Sequence, residues 1–335
     1  MIRKKAPTPL ESVEALFLDL DGVIYRGEQA IPHAVEAISS VSQPVAYLTN
    51  NASRTPEQVA GQLRGYGLQL DDRDVVTSPQ AAVSLLADLI PAGATVLVVG
   101  GEGLVREISE AGFPITSSAY DNPVAVVQGF SPEVSWAQLA EASFALQRDE
   151  SVVWVATNTD WTIPLQRGVA PGNGALVSAV HLAVGRLATF AGKPETPMFT
   201  VAAQRLGVSS ALMVGDRLDT DIAGARAAGF RSALVLTGID QAKQLLAAGE
   251  SERPDFIFSD LRDLHRPYPP AKRSVDRTGV HTVEVGKAVV RRKDNVVRVA
   301  RPGDPIDLVR AGATIIYDSG LKIFGLDVDP SIYSG

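Results

Sequence analysis

An alternation of two kinds of segment constrains the fold of this chain most strongly. Short apolar runs rich in β-branched residues alternate with longer segments rich in alanine, leucine and glutamate. Strands that are apolar along their whole length are typical of parallel sheets with helices on both faces. The pattern therefore predicts an α/β protein. The predicted strands are 15–19, 45–50, 96–100, 124–129, 152–157, 211–216, 232–236 and 256–259, and the predicted helices lie near 32–41, 55–66, 79–90, 136–146, 174–185, 196–206 and 221–229.

The composition excludes several kinds of functional site. None of the 335 residues is cysteine, which excludes disulfides, iron–sulfur clusters and thiolate nucleophiles. The four histidines include no pair at the i, i+4 spacing of a helical metal site. A net charge of −7 has the wrong sign for a general nucleic-acid binder, and no apolar run reaches the ~20 residues that span a bilayer. We therefore expect a cytoplasmic protein with no nucleic-acid partner and no membrane insertion, whose chemistry uses carboxylates, lysine, hydroxyls and a metal.

Two carboxylates follow the first predicted strand. The apolar run ends at Asp19, and Asp21 and Gly22 come directly after it. Residues i and i+2 of an extended strand point to the same face, so both carboxylates can act on one substrate. Ligands of open α/β sheets bind at the carboxyl ends of the strands. This strand end is therefore a candidate active site.

Three further segments place polar residues at comparable positions. Thr49 and Asn50 end another apolar run, and Asp216 ends a third that continues to Asp221 at the start of a helix. Lys193 lies just before a helix that starts near a proline. Because the carboxyl ends of parallel strands meet at one edge of a sheet, we expect these groups to converge there.

In this order the four segments resemble the motifs of the haloacid dehalogenase (HAD) superfamily, namely D-x-D-G, a Thr/Asn motif, a lysine motif and G-D-x-x-x-T-D. Only 28 positions separate Asp21 from Thr49, whereas 142 separate Asn51 from Lys193. That layout resembles class IIA capped phosphatases such as 4-nitrophenylphosphatase, phosphoglycolate phosphatase and pyridoxal-phosphate phosphatase. It implies a Rossmann-like HAD core with a parallel sheet at 1–77 and 187–268, and a large α/β cap domain inserted at 78–186. Ala-Thr-Asn-Thr-Asp at 156–160 and Pro-Gly-Asn-Gly at 171–174 also look like that class.

The resemblance implies a magnesium-dependent phosphatase with an aspartyl-phosphate intermediate. Asp19 is the expected nucleophile, and Asp21 donates a proton to the leaving alcohol and later activates water. Mg²⁺ is a hard cation that prefers oxygen ligands, and the expected ligands here are Asp19, the Asp21 carbonyl and Asp216. Asp221 is expected to bind the ion directly, to bind it through water, or to orient the other ligands by hydrogen bonding. The remaining phosphate contacts are expected from Lys193, the Thr49 hydroxyl and the Asn50 backbone N–H.

Substrate choice is expected to come from the cap. In enzymes that this chain resembles, the decisive loop lies between the T-N-x-D and P-G-x-G elements, which here places Trp161, Ile163 and Arg167 at the substrate. The loop favours a small phosphorylated metabolite, and glycerol 3-phosphate first, since actinobacterial class IIA enzymes that look like this one act on it. That substrate belongs to glycerophospholipid metabolism. The alternatives are 2-phosphoglycolate and pyridoxal 5′-phosphate, with either an inward or a solvent-facing Arg167. Caps of this class also suggest a homodimer.

Two other functions remain open at this stage. One is a non-catalytic protein that binds phosphorylated metabolites, although no catalytic carboxylate is missing here. The other is a dinucleotide site at Gly100–Gly103, where Arg106 occupies the place of the third glycine, so that a tight turn in the cap explains the glycines better. His181 in a predicted helix is interpreted as a packed or half-exposed residue.

The segment 269–335 is expected to be a small C-terminal accessory module. A proline-rich stretch precedes it, and residues 271–335 contain 11 Lys/Arg and 8 Asp/Glu, a net charge of +3. We predict strands at 282–290, 296–300, 314–318 and 321–327. A second D-x-D, formed by Asp327 and Asp329, is interpreted as a pair of solvated carboxylates at a strand end. We expect the module to be too short for a complete acetyl-CoA site of the kind that some resembling phosphatases carry.

Overall fold

The computed structural model describes residues 6–165 and 167–334. Contacts divide the chain into two compact units, Met1–Pro44 with Ser210–Gly335, and Val45–Ser209. Among the described residues, no helix combines the length and the apolar character needed to cross a membrane.

The first unit contains four parallel strands. Ala15–Leu18 pairs with Ala211–Gly215, which pairs with Arg231–Val235, and that strand pairs with Phe256–Phe258. Nearly every side chain in these strands is buried, because helices and the C-terminal segment cover the sheet. Its other elements before residue 270 are the short strands Tyr25–Arg26 and Gln29–Ala30, the helices Ala34–Ser39, Ala223–Ala227 and Ala242–Ala247, and the π-helical turn Leu218–Ile222.

The C-terminal segment forms a second sheet within the first unit. Four strands pair in antiparallel succession, and a short fifth strand pairs in parallel with the fourth. The helix Pro305–Asp318 packs against this sheet and shares one hydrophobic cluster with Leu218, Leu234 and Ile257. The segment is therefore part of the first unit's core. The strands are Lys272–Val275, His281–Val285, Ala288–Lys293, Val296–Arg301 and Asp327–Val328.

A buried ion-pair network joins this helix to the preceding chain. The Arg310 guanidinium lies 3.0 Å from Asp307 and 3.2 Å from Asp263, and it donates to the Ile257 carbonyl. Arg310 is 7% exposed. Removing one partner of such a network leaves an uncompensated buried charge, so the contact specifies how the helix docks.

Three predictions for this segment are wrong. Residues 314–318 are the last turns of the helix Pro305–Asp318, which begins with Asp304 as N-cap and proline at N1. The β-branched run at 314–316 resembles a strand locally, but apolar residues at 308, 309, 315 and 316 share one helical face that packs on the sheet. The predicted strand 282–290 is a hairpin that turns at Gly286, where φ is +54°. Of the predicted strand 321–327, only Asp327 belongs to a paired strand, Asp327–Val328.

The second unit contains two groups of parallel strands. Val45–Thr49 pairs with Val75–Thr77, and the helices Pro56–Gly65, Ser78–Leu89 and Pro197–Leu206 follow or accompany this pair. The other group is a five-stranded parallel sheet in the order Thr189–Phe190, Val153–Ala156, Ala125–Gln128, Val96–Val99 and Ile115–Thr116. Its helices are Glu102–Glu110, Trp136–Arg148 and Asn173–Val184, and an antiparallel hairpin joins Thr162–Leu165 to Gly168–Pro171.

The predicted α/β class is confirmed, and so are the eight strands predicted before residue 270, to within a residue or two at each end. The predicted start of a helix at Thr55 is also confirmed, because its hydroxyl accepts from the Gln58 N–H at 3.4 Å. Besides Pro305–Asp318, two helices were missed, Glu102–Glu110 and Ala242–Ala247. The first begins directly after the glycines of residues 100 and 101. The three-part division at residues 77, 186 and 268 stays a prediction.

Candidate active site

Three carboxylates of the first unit converge. Oxygen atoms of Asp19, Asp216 and Asp221 all lie within 4.8 Å of one another. In the paired strands Ala15–Leu18 and Ala211–Gly215, Leu18 lies opposite Val214. Asp19 and Asp216 therefore follow neighbouring strands at the same end of the sheet. The π-helical turn that follows then returns Asp221 to the same point. Local β structure and one irregular turn thus bring together residues that are about 200 positions apart in the chain.

The two carboxylates from the second strand end are deeply buried. Asp216 is 2% and Asp221 is 1% exposed. The Ile239 N–H donates to Asp216 Oδ2 at 2.7 Å, and the Arg217 N–H donates to Asp221 Oδ2 at 3.2 Å. Asp219, between them in sequence, instead pairs with the Arg217 guanidinium at the surface. Buried carboxylates need such hydrogen bonds or a cation to offset their desolvation.

Three glycines make room for these carboxylates. A Cβ atom at position 22 or 238 would collide with the Asp216 side chain, and one at position 215 would collide with Asp221. Gly22 also has a φ of +80°, a left-handed backbone conformation that favours glycine whatever the space around it. Sequence reasoning identified Gly22 as a turn residue and missed Gly238, whose closeness to Asp216 follows from the loop after the strand Arg231–Val235. The position of a glycine just beyond a strand end was the available signal.

The loop at 237–241 provides further support. The Asp240 N–H donates to the Asp216 carbonyl at 3.0 Å, and its carboxylate accepts from the Leu218 N–H at 2.7 Å. Burial raises the pKa of the Asp240 carboxyl above its ordinary value. The Thr237 hydroxyl donates to the Gly22 carbonyl at 2.7 Å. This loop therefore ties the turn after Asp21 to the strand end that bears Asp216.

Asp21 differs from the other carboxylates because it is exposed. It lies on a tight turn in which the Gly22 N–H donates to the Tyr25 carbonyl at 2.8 Å and the Ile24 N–H donates to the Leu20 carbonyl at 2.8 Å. The backbone at Asp21 is thereby held while its side chain remains accessible. An accessible carboxylate beside a buried group of carboxylates can exchange protons with solvent and substrate.

The second unit brings together the other predicted phosphate-binding residues. Thr49 is 7% and Lys193 is 2% exposed, and the Lys193 ammonium donates to the Leu48 carbonyl at 3.3 Å. The Asn50 side chain accepts from the Lys193 N–H and donates to the Lys193 carbonyl, both at 2.9 Å. Lys193 is thus hydrogen-bonded to Leu48 and Asn50, the residues on either side of Thr49.

The predicted substrate residues lie on or beside the hairpin Thr162–Pro171. Trp161 is 64% exposed, Ile163 is half-buried and Arg167 is exposed. The Gly172 N–H donates to the Trp161 carbonyl at 2.8 Å, and the Gly174 N–H donates to the Asp160 carbonyl at 2.9 Å. Backbone hydrogen bonds therefore hold the base of the hairpin, while the side chains of Trp161 and Arg167 are accessible to solvent.

The residues that the sequence analysis interpreted as structural have structural contacts. The His181 ring nitrogen lies 2.6 Å from the Arg186 carbonyl, as expected of a packed, half-exposed histidine. Gly101 is the N-cap of the helix Glu102–Glu110. In the second D-x-D, Asp327 pairs with Arg298 at the surface.

The donor set of the acidic cluster fits a hard divalent cation. Carboxylate oxygens are the protein ligands that Mg²⁺ prefers, usually one or two of them with the remaining positions filled by water and phosphate. Three carboxylates with oxygens inside 4.8 Å, two of them fully desolvated, would repel one another strongly without a counter-charge. Asp19, Asp216 and Asp221 are therefore the residues that can hold such an ion.

Comparison with known proteins gives consistent matches. A family model described as haloacid dehalogenase-like hydrolase matches residues 16–114, and one described as HAD-hydrolase-like matches 190–264. D-glycerol 3-phosphate phosphatase of Mycobacterium tuberculosis is 44% identical over 253 residues, which are 76% of this chain and 71% of that protein.

Two solved structures define how far the likeness extends. A glycerol phosphate phosphatase from Mycobacterium tuberculosis in complex with magnesium superimposes with a TM-score of 0.84 and 36% identity, covering 97% of this chain and 96% of that one. A p-nitrophenyl phosphatase from Archaeoglobus fulgidus gives a TM-score of 0.69 and 28% identity, covering 75% of this chain and 98% of that one. A coverage of 97% includes most of residues 269–335, so the C-terminal segment also has a structural counterpart.

Proposed function

Because this chain belongs to the haloacid dehalogenase-like hydrolase family, we propose that it is a magnesium-dependent phosphatase that hydrolyses glycerol 3-phosphate. The observation that carries the proposal is the convergence of Asp19, Asp216 and Asp221 beside the exposed Asp21. A nucleophilic carboxylate, a second carboxylate for proton transfer and an oxygen-rich cation site are what hydrolysis of a phosphate monoester requires.

The carboxylates have distinct roles in the proposed reaction. Asp19 attacks phosphorus through one oxygen, and the bond from phosphorus to the leaving oxygen breaks. Asp21 gives its proton to that oxygen, so the alcohol leaves neutral. Asp21 then takes a proton from water, which attacks phosphorus and releases inorganic phosphate and the Asp19 carboxylate. Exposure of Asp21 supports this role, because the group must change protonation state in each half-reaction.

Magnesium, when bound, supplies positive charge that offsets the repulsion between Asp19 and the phosphate. We assign its protein ligands to Asp19, Asp216 and the Asp21 backbone carbonyl, with Asp221 binding directly or through water. The glycines at 22, 215 and 238 support this assignment, because each leaves space for a buried carboxylate of the cluster. The phosphoryl oxygens bind to the Lys193 ammonium, the Thr49 hydroxyl and the Asn50 N–H. Burial of Lys193 among polar neighbours supports its use as a counter-charge.

The preference for glycerol 3-phosphate rests on two supports. The relative from Mycobacterium tuberculosis that is 44% identical acts on that compound. The hairpin next to Trp161 also offers one large aromatic ring, Ile163 and a single cation, Arg167, which suits a small polyol. An Arg167 that turns toward substrate would instead favour the carboxylate of 2-phosphoglycolate.

The remaining assignments complete the proposal. We place the core at 1–77 and 187–268, the cap at 78–186 and the accessory module at 269–335. We also propose a cytoplasmic homodimer that acts in glycerophospholipid metabolism without nucleic acid, formed through the cap. Exposed apolar side chains at Tyr120, Trp136 and Leu182, which are 87%, 81% and 82% exposed, support an interface there.

A phosphate-release panel tests the function. Glycerol 3-phosphate, 2-phosphoglycolate, pyridoxal 5′-phosphate, hexose phosphates and nucleotides are compared by kcat/KM with Mg²⁺ present. We expect glycerol 3-phosphate to lead by at least about tenfold, or about 1.4 kcal/mol in transition-state binding. A tenfold preference for nucleotides or hexose phosphates would overturn the substrate. Binding of these compounds without any phosphate release would favour the metabolite-binding alternative.

A further inference from the structure

The backbone carbonyl of Asn50 accepts two side-chain hydrogen bonds in the second unit. The Ser78 hydroxyl donates to it at 2.8 Å, and Asn158 Nδ2 donates to it at 2.7 Å. Both donors are almost completely buried, with Ser78 at 0% and Asn158 at 3% exposure. Two short bonds to one carbonyl hold the plane of the peptide that follows Asn50, and this restricts the whole phosphate-binding turn.

Asn158 also makes a bond on its other side. Its Oδ1 accepts from the Asp160 N–H at 3.1 Å, and the Asp160 carboxylate accepts from Asn50 Nδ2 at 3.3 Å. Asn158 therefore bonds to the backbone of Asn50, and Asp160 bonds to its side chain. Ser78 has no such second link, since its hydroxyl bond to Asn50 is the one side-chain contact described for it.

The same short segment leads directly into the hairpin Thr162–Pro171. Asn173 Nδ2 donates to the Asn158 carbonyl at 3.0 Å, and the Gly174 N–H donates to the Asp160 carbonyl at 2.9 Å. The two strands of the hairpin are thus fastened to residues 158–160 at their common base. A side chain at Gly174 would collide with the Thr159 carbonyl, so the approach is close.

We propose that Asn158 is a positioning residue that couples the phosphate-binding turn at Asn50 to the hairpin that selects the leaving group. The inference rests on the proposed phosphatase function and adds a residue that touches neither the phosphate nor the alcohol. Because Asn158 bonds to Asn50 on one side and to Asp160 on the other, a shift of one segment moves the other. A substrate that fits the hairpin thereby receives a better-placed Asn50 N–H.

Ser78 provides a matched control, because it supports the same carbonyl without the link to the hairpin. The experiment uses the full chain with Mg²⁺ and compares Asn158→Ala, Asn158→Asp and Ser78→Ala with the unaltered protein. Three quantities are measured: the inhibition constant of inorganic phosphate, kcat/KM for glycerol 3-phosphate, and kcat/KM for 4-nitrophenyl phosphate. Thermal unfolding checks that each variant is folded. Asn158→Asp keeps the acceptor for Asp160 N–H and loses the donor to Asn50, so it replaces the alanine variant if that one fails to fold.

All three variants should weaken inhibition by phosphate about fivefold, since each removes one hydrogen bond to the turn. Asn158→Ala and Asn158→Asp should also lower the ratio of kcat/KM for glycerol 3-phosphate to kcat/KM for 4-nitrophenyl phosphate, by about fivefold or more, because both remove the bond from Asn158 to the Asn50 carbonyl. Ser78→Ala should keep that ratio within about twofold.

An unchanged ratio in folded Asn158→Ala would overturn the coupling, and so would an equal fall of the ratio in Ser78→Ala. If only Asn158→Asp folds, an unchanged ratio in that variant would overturn the coupling. An unaltered protein that releases phosphate from neither compound would overturn the proposed function itself, which separates the two failures.

Discussion

The acidic cluster and the hairpin differ in how tightly the structure holds them. Asp216 and Asp221 are almost fully buried, receive backbone hydrogen bonds and lie against glycines that admit no side chain. Trp161 and Val169 at the hairpin are 64% and 73% exposed, and backbone hydrogen bonds from Gly172 and Gly174 hold the base of the hairpin. Groups that carry out the chemistry need fixed positions, whereas groups that select a leaving alcohol can vary with little cost to the fold. Substitutions in the cluster should therefore abolish turnover, and those in the hairpin should alter preference.

The largest effect is expected at the nucleophile. Asp19→Asn keeps the side-chain volume but removes the attacking oxygen anion, so kcat should fall by about a thousandfold or more while the protein stays folded. The matched control is Asp327→Asn in the second D-x-D, which should retain activity because Asp327 pairs with Arg298 at the surface. Steady-state phosphate release and thermal unfolding check both. If Asp19→Asn keeps a tenth of the activity, the covalent scheme is wrong.

Loss of the proton donor should depend on the leaving group. Asp21→Ala should lower kcat/KM for glycerol 3-phosphate by about a hundredfold or more, since an alkoxide is a poor leaving group without a proton. The fall in kcat/KM for 4-nitrophenyl phosphate should be about tenfold or less, because nitrophenolate leaves readily. Comparison of kcat/KM for the two substrates provides the measurement, because this quantity excludes the later hydrolysis step that both substrates share. Equal losses on both would assign Asp21 a role other than proton transfer to the leaving oxygen.

The metal site should be sensitive to the space around Asp216. A methyl group from Gly238→Ala would collide with the Asp216 carboxylate, so the Mg²⁺ concentration for half-maximal activity should rise about tenfold or more. A chelator should remove the activity of the unaltered protein, and added Mg²⁺ should restore it. Gly61→Ala is the control, because its new Cβ meets nothing within 4 Å. An identical Mg²⁺ dependence in Gly238→Ala and Gly61→Ala would remove Asp216 from the ligand set.

The smallest effects are expected at the hairpin. Trp161→Ala or Ile163→Ala should change the order of preference among glycerol 3-phosphate, 2-phosphoglycolate and pyridoxal 5′-phosphate by about fivefold in kcat/KM. Turnover of 4-nitrophenyl phosphate should stay within about twofold. Phe324→Ala removes a large aromatic that is 88% exposed outside the hairpin and the cap, and it should change neither. Unchanged selectivity in both hairpin variants would assign substrate choice to another part of the chain.

Much of the first unit's sheet and its cluster could be predicted from local patterns. Continuous apolar runs identified the strands, and polar residues at their ends identified Asp19 and Asp216. The C-terminal segment was less predictable, because the β-branched run at 314–316 indicated a strand where tertiary packing favours a helix. Periodicity alone does not separate a short buried strand from a buried helix segment. Docking of that helix against the sheet and the Arg310 network decides the outcome.

The contacts of the positioning residues could not be predicted from the sequence. Asn158 belonged to a recognisable segment, but its bond to the Asn50 carbonyl joins residues 108 positions apart. Gly238 lies just beyond a strand end, but that position alone does not predict the approach of Gly238 and Ile239 to Asp216, which depends on the order of the parallel strands. Such contacts arise from the path of loops between strands, and many loop paths are compatible with one pattern of strands.

The sequence by itself determined the α/β class, the order of the four motifs and the chemical identity of the candidate catalytic groups. These properties follow from short-range rules, since apolar runs form strands and the residue types at their ends specify the available chemistry. Only the tertiary structure decided how closely Asp19, Asp216 and Asp221 approach one another, which glycines make room for them and which side chains bond to the Asn50 carbonyl. Burial and hydrogen bonding between distant segments are cooperative properties of the folded chain, because each contact exists only when the others hold its partners in place.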